Sequence, residues 1–148
     1  MKSQRGTAMA EFVIGAPILL LLLYAVVELV RALVQFSLLA DATRDADRYL
    51  ASNSLQGTTG VVNISGAVSS NAKNLVVYGN PAGTGSALLP GLNVGQVTVS
   101  SDGSNNVAIS VAYPYQSLFG GTIPNFFNSG SVSTGSMTLR AYTSTRAL

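Results

Sequence analysis

Hydrophobic and polar positions divide this chain into two regions with different periods. Phe12-Val-Ile-Gly-Ala-Pro-Ile-Leu-Leu-Leu-Leu-Leu-Tyr-Ala-Val-Val27 is sixteen residues without a charge. At about 1.5 Å per helical residue it covers roughly 24 Å, short of the roughly 30 Å hydrocarbon core of a bilayer. Apolar character resumes after Glu28 and Arg31 with Leu33, Val34, Phe36, Leu38 and Leu39, which a tilted helix can use. Further on the pattern turns amphipathic. Leu39, Ala42, Ala46, Tyr49 and Leu50 share one side, while Asp41, Arg44, Asp45 and Arg48 alternate in sign at short helical spacings. One helix from Thr7 to about Ser54 is expected, with a membrane segment at about 12–34. Pro17 should kink it or break a hydrogen bond, and Gly15 softens the same spot.

Loop composition at Gln56-Gly-Thr-Thr-Gly60 ends that helix. A short second helix is expected between Ile64 and Asn74, then a strand at Leu75-Val-Val-Tyr78 and a Gly/Pro/Ser loop at Gly79–Gly91. Period-two alternation marks strands at Gln96–Ser100, with Val97 and Val99 on one face, and at Val107, Ile109, Val111 and Tyr113. Ser101-Asp-Gly-Ser-Asn-Asn106 reads as the hairpin turn between them. A last alternation puts Met137, Leu139 and Ala141 on one face. The fold class is therefore α+β: a long N-terminal transmembrane and stalk helix followed by a small antiparallel sheet. The domain division is 1–6, 7–54 and 55–148. The aromatic stretch from Tyr113-Pro-Tyr115 through Phe119, Phe126 and Phe127 reads as the cap of a small core, with an adhesive or subunit-contact patch as the other reading.

Composition narrows the chemistry. The chain is 47% hydrophobic and only 9% charged, against about a quarter charged in ordinary globular domains. Beyond Arg48 the charges are Lys73, Asp102, Arg140 and Arg146. Ser, Thr, Asn and Gly supply the remaining polarity, giving a surface of low self-repulsion that suits subunits packing on copies of themselves. The net charge of +2 equals Lys2 plus Arg5. No basic stripe follows, so nucleic acid is not an expected partner. The absence of Cys removes disulfides and thiolate chemistry, and the absence of His removes the commonest general base and metal ligand. With Asp102 as the one carboxylate after Asp47, no acid–base pair can be assembled in the distal part. No enzymatic activity and no cofactor or metal are expected.

Lys2 and Arg5 before the apolar run, with no basic cluster directly after it, place the N-terminus in the cytoplasm and the rest of the chain beyond the inner membrane. A conventional secretory signal would be cut promptly after a shorter apolar core. The small-x-small triplet available, Ala40-Asp41-Ala42, lies far downstream inside a helical pattern. Glu28 and Arg31, three residues apart, are placed to pair at the outer edge of the span or to reach separately toward headgroups. Asn63-Ile-Ser65 and Gly83-Thr-Gly85 lack the context of a modification site or a phosphate cradle.

The block ahead of the span is Arg5-Gly6-Thr7-Ala8-Met9-Ala10-Glu11-Phe12. A carboxylate at the lip of a membrane helix is a functional candidate, and it is also favourable in a first helical turn. This block resembles the processing site of type IV pilins. That resemblance implies cleavage by a prepilin peptidase between Gly6 and Thr7. Glu11, ahead of Phe12, would then offer its carboxylate to the new amino terminus of a neighbouring subunit; an ammonium in lipid needs such a partner. More narrowly, residues 5–50 resemble TadE-like pseudopilins of the tight-adherence (Tad, or Flp) pilus. The resemblance rests on Arg-Gly, Ala-Glu-Phe, the Pro17-Ile-Leu-Leu-Leu run and the helix ending at Asp45-Ala-Asp-Arg-Tyr-Leu50. It continues more loosely through Asn74–Gly79, Leu89–Leu92, Val107–Tyr115 and Ser136–Arg140. A six-residue leader is shorter than many in that family.

The resemblance implies a minor pilin or pseudopilin, single-pass in the bacterial inner membrane, with a periplasmic C-terminal domain. Its partners would be prepilin peptidase, other pilin subunits and the Tad assembly machinery, and its roles pilus assembly, adhesion and biofilm formation. Whether it polymerises into an extracellular pilus or only primes assembly stays open. The alternative is a permanently anchored periplasmic binding module, which gains nothing from Glu11. An enzyme would have to depend on Asp102.

Overall fold

The computed structural model describes residues 4–55, 62–101, 105–118, 120–124, 131–133 and 137–147. Among the described residues two helices and five strands follow one another: α1 (Gln4–Asn53), α2 (Gly66–Tyr78), β1 (Val97–Ser101), β2 (Asn106–Pro114), β3 (Thr122–Pro124), β4 (Ser131–Ser133) and β5 (Thr138–Arg146). A 3₁₀ turn, Val94–Gln96, leads into β1. The α+β layout inferred from the pattern is the one observed. The chain divides into two compact units, Met1–Leu33 with Ser117–Gly135, and Val34–Gln116 with Ser136–Leu148.

In the second unit, the antiparallel sheet runs in the order β1-β2-β5. Its register aligns Val97 with Val111 and Val111 with Ala141, and next to that row Val99 with Ile109 and Ile109 with Thr143. Alternation along β2 buries Val107, Ile109, Val111 and Tyr113 on one face. Against that face come Leu39, Ala46, Leu50 and Ala51 from α1, Ala72, Val76 and Val77 from α2, and Leu89 and Leu92 from the intervening loop. Small residues at Ala42, Ala46 and Ala51 leave room for neighbours to approach α1 closely, so one helical stripe becomes one wall of the core.

Several expectations are corrected. Leu75-Val-Val-Tyr78 is the last turn of α2, not a strand. β-branched residues favour strands, but here Ala72 and Val76, four apart, with Val77 beside them, bury one helical face, and tertiary burial outweighs the propensity. Both ends of α2 are capped. The Ser65 side chain accepts a hydrogen bond from Val68 N at 3.3 Å, and Gly79 takes the left-handed conformation (φ 72°), its N–H donating to Leu75 O at 2.9 Å. The first strand is shifted one residue, because Gln96 closes the capping box begun by Asn93. Met137 precedes β5 and is exposed, so the inward face of that strand begins at Leu139.

Tyr113, expected in the second strand, and Pro114 after it both belong to β2. Tyr113 is buried and its hydroxyl donates to Pro90 O at 2.8 Å; Tyr115 packs at the edge of the same core. The expected aromatic positions Phe119, Phe126 and Phe127, the loop at 56–60 and the centre of the hairpin turn lie outside the described residues. The first unit contains a two-stranded antiparallel pair, β3–β4, that the sequence pattern does not reveal. Each of its strands is only three residues long, too short for period-two alternation to register.

Candidate membrane and processing segment

α1 begins before Thr7 and runs unbroken through Pro17 to Asn53. A proline early in an apolar helix forfeits one backbone hydrogen bond without ending the helix. From Met9 to Leu38 the large apolar side chains stay exposed, Phe12 at 69% and Leu22 at 60% among them. No residue of the most apolar window is buried, so this part of α1 is long and apolar enough to cross a membrane and is not the core part of the helix. Its length and its exposed apolar surface fit a membrane anchor.

Gly6, Thr7, Glu11 and Phe12 all sit in the first turns of α1 and are all exposed. Thr7 and Glu11, four residues apart, share a helix face. A Cβ at Gly6 would meet nothing within 4 Å, so no steric demand of the fold requires glycine there. Ala8, Gly15 and Ala16 flank Glu11 and Phe12 along one shallow face that ends at Leu19. The backbone on that face can approach another helix closely, with the Glu11 carboxyl standing at its head.

Glu28 and Arg31 are both half-buried on α1. The structure gives Glu28 a partner other than Arg31: Leu118 N donates to Glu28 Oε1 at 2.9 Å. An ion pair does form lower on the helix, between Arg44 Nη1 and Asp41 Oδ1 at 3.1 Å, with both side chains about two-thirds exposed. Such a pair adds little stability, which fits a solvated charged face.

Sequence reasoning missed the polar residues on the covered stripe of α1. Gln35, Thr43, Asp47 and Ser54 are buried. Thr43 Oγ1 donates back to Leu39 O at 2.6 Å. Thr143 Oγ1 donates to Asp47 Oδ2 at 3.2 Å, whereas Asp47 Oδ1 has no partner among the described residues. The helical spacing that marks Leu39, Ala46 and Leu50 as inward also turns Gln35 and Thr43 inward, a signal hidden by their polarity. Nothing in the sequence links Asp47 to Thr143, ninety-six positions away.

Residues 6–48 match the model of the family described as TadE-like protein. The match takes in Gly6, Thr7, Glu11, Phe12, the apolar span and the amphipathic part of α1 up to Arg48. No curated protein and no solved structure matches the chain.

Proposed function

We propose that this chain, whose residues 6–48 match the TadE-like family, is a minor pilin or pseudopilin associated with a Tad pilus: a structural subunit without catalytic activity, anchored in the inner membrane and processed at Gly6–Thr7. The observation that carries the reading is the surface of α1. A helix whose large apolar side chains stay exposed from Met9 to Leu38 is headed by an exposed Gly6–Thr7 bond and an exposed Glu11. Lipid and neighbouring subunits are the two environments that accept such a surface, and prepilin peptidase is the enzyme whose substrate has this form. With Lys2 and Arg5 on the cytoplasmic side, the second unit, with its sheet and low charge, stands in the periplasm or in the assembled pilus.

After cleavage the Thr7 amino group and the Glu11 carboxyl of an adjacent subunit would compensate one another in the apolar phase, where either alone is costly. Adhesion and biofilm formation are the consequences of a subunit incorporated into, or priming, a Tad pilus.

The test is the intact mass and N-terminal sequence of the membrane protein from cells with and without prepilin peptidase. A chain beginning at Thr7 only when the peptidase is present supports the reading, and Glu11→Ala should then block assembly while leaving cleavage in place. A chain that keeps Met1 in both strains rejects processing and leaves the anchored periplasmic binding module as the better account.

A further inference from the structure

Glu28 lies about 24 Å along α1 from Phe12 at 1.5 Å per residue, within the span of a roughly 30 Å hydrocarbon core. Arg31 follows within one turn and Gln35 is buried beyond it, but the exposed surface stays largely apolar. Leu29, Val30, Leu33, Val34, Phe36 and Leu38 continue past Glu28 as exposed apolar side chains. Yet at this height the Glu28 side chain is half-buried and holds a distant piece of chain, with Leu118 N donating to its Oε1 at 2.9 Å. Whatever Leu118 touches besides Glu28 is therefore at the level where α1 still presents a lipid-compatible surface.

The held segment meets the conditions for such a place. Backbone groups near the apolar phase must be hydrogen-bonded within the protein. Leu118 N is satisfied by Glu28, Gly121 N donates to Ser117 Oγ at 2.8 Å, and the backbones of β3 and β4 pair with each other. The sequence holds no charged residue between Asp102 and Arg140. Leu118 itself is 52% exposed, an apolar side chain with an open face beside a membrane helix. The arrangement also resolves the cost of Glu28, since a carboxyl at that depth needs a donor and the Leu118 N–H is one.

We infer that the turn at Ser117–Leu118 is held against the lipid by Glu28 and forms a second membrane contact beside the α1 span. The occupant of the Leu118 face is the acyl and headgroup boundary of the bilayer. The inference rests on the membrane-anchor part of the function proposed above and not on processing.

Because the chain has no cysteine, single-cysteine variants need no altered background. The full chain is reconstituted at low density in phosphatidylethanolamine–phosphatidylglycerol vesicles, with a nitroxide at Leu118→Cys, Leu22→Cys or Tyr142→Cys. Collision with oxygen is then compared with collision with a water-soluble nickel chelate. The expected result is that the label at 118 favours oxygen several-fold, toward the value at 22, while the label at 142 favours nickel. Glu28→Ala should move the label at 118 several-fold toward the aqueous value with the label at 22 unchanged; Glu28→Gln, which keeps an acceptor oxygen, should hold it. A label at 118 that reads like 142 in the parent chain overturns the inference, and so does a label indifferent to Glu28→Ala. Spin–spin broadening at 118 would replace the lipid with a second copy of the chain and overturn it equally. An aqueous reading at 22 would overturn the anchor itself, which separates the two failures.

Discussion

Asp47 is the residue whose surroundings are least economical. It is buried, one carboxyl oxygen is held by Thr143, and the other has no partner among the described residues. Removing one member of such a pair leaves a buried polar group exposed to its full desolvation cost, about 1–3 kcal/mol, whereas replacing both by apolar groups can be neutral or stabilising. Thr143→Val should therefore lower stability by about that amount, and Asp47→Leu with Thr143→Val should recover most of it. Resistance to pulse proteolysis across a urea series, on the full chain in vesicles, reads both; a double variant weaker than Thr143→Val alone would show that the pair is net stabilising. Tyr113→Phe is a milder case. It removes the hydrogen bond to Pro90 O without opening a cavity, and should cost about 0.5–1.5 kcal/mol in the same assay.

The elements differ in how openly the sequence declares them. β2 was legible because four inward residues alternate with small or polar ones over nine positions, and the structure buries Val107, Ile109, Val111 and Tyr113. The inward stripe of α1 was legible for the same reason at helical period. Leu75–Tyr78 was not, because local β-branched character conflicts with a burial requirement set by the rest of the core, and only the Ser65 and Gly79 caps fix that segment as helix. The Glu28–Leu118 hydrogen bond joins positions 90 apart, and no local pattern encodes a contact of that kind. The caps give the next prediction. Gly79 has φ 72°, and an added Cβ would lie 3.5 Å from Leu88 Cδ2, which is ordinary contact. The cost of substitution should thus be conformational, about 1–2 kcal/mol for an ordinary L residue in the left-handed region. Asn, which tolerates that region, should be milder than Ala, and Ala milder than the β-branched Val. A ranking in which Val matches Asn would mean that the C-cap does not hold α2.

At the scale of the molecule, the unequal distribution of charge is the property that ties sequence to function. Lys2 and Arg5 precede the apolar run of α1, whose large exposed side chains are Leu, Ile, Val and Phe, and the amphipathic continuation of that same helix supplies one wall of a core. A single secondary-structure element thus carries both the exposed apolar run and residues of the core. Leu20 lies near the middle of the uncharged run and is 62% exposed, so its side chain packs against no part of this chain that a charge would disturb. Leu20→Arg therefore isolates the membrane term. An arginine at the centre of an inserting helix costs about 2.5–3.5 kcal/mol, against a gain of a few tenths for leucine, and should sharply lower the fraction of chain that resists extraction by alkaline carbonate. Leu20→Ile should leave that fraction unchanged. If Leu20→Arg inserts as well as the parent, the exposed face of α1 is stabilised by other protein chains and not by lipid, and those chains would have to be present before insertion.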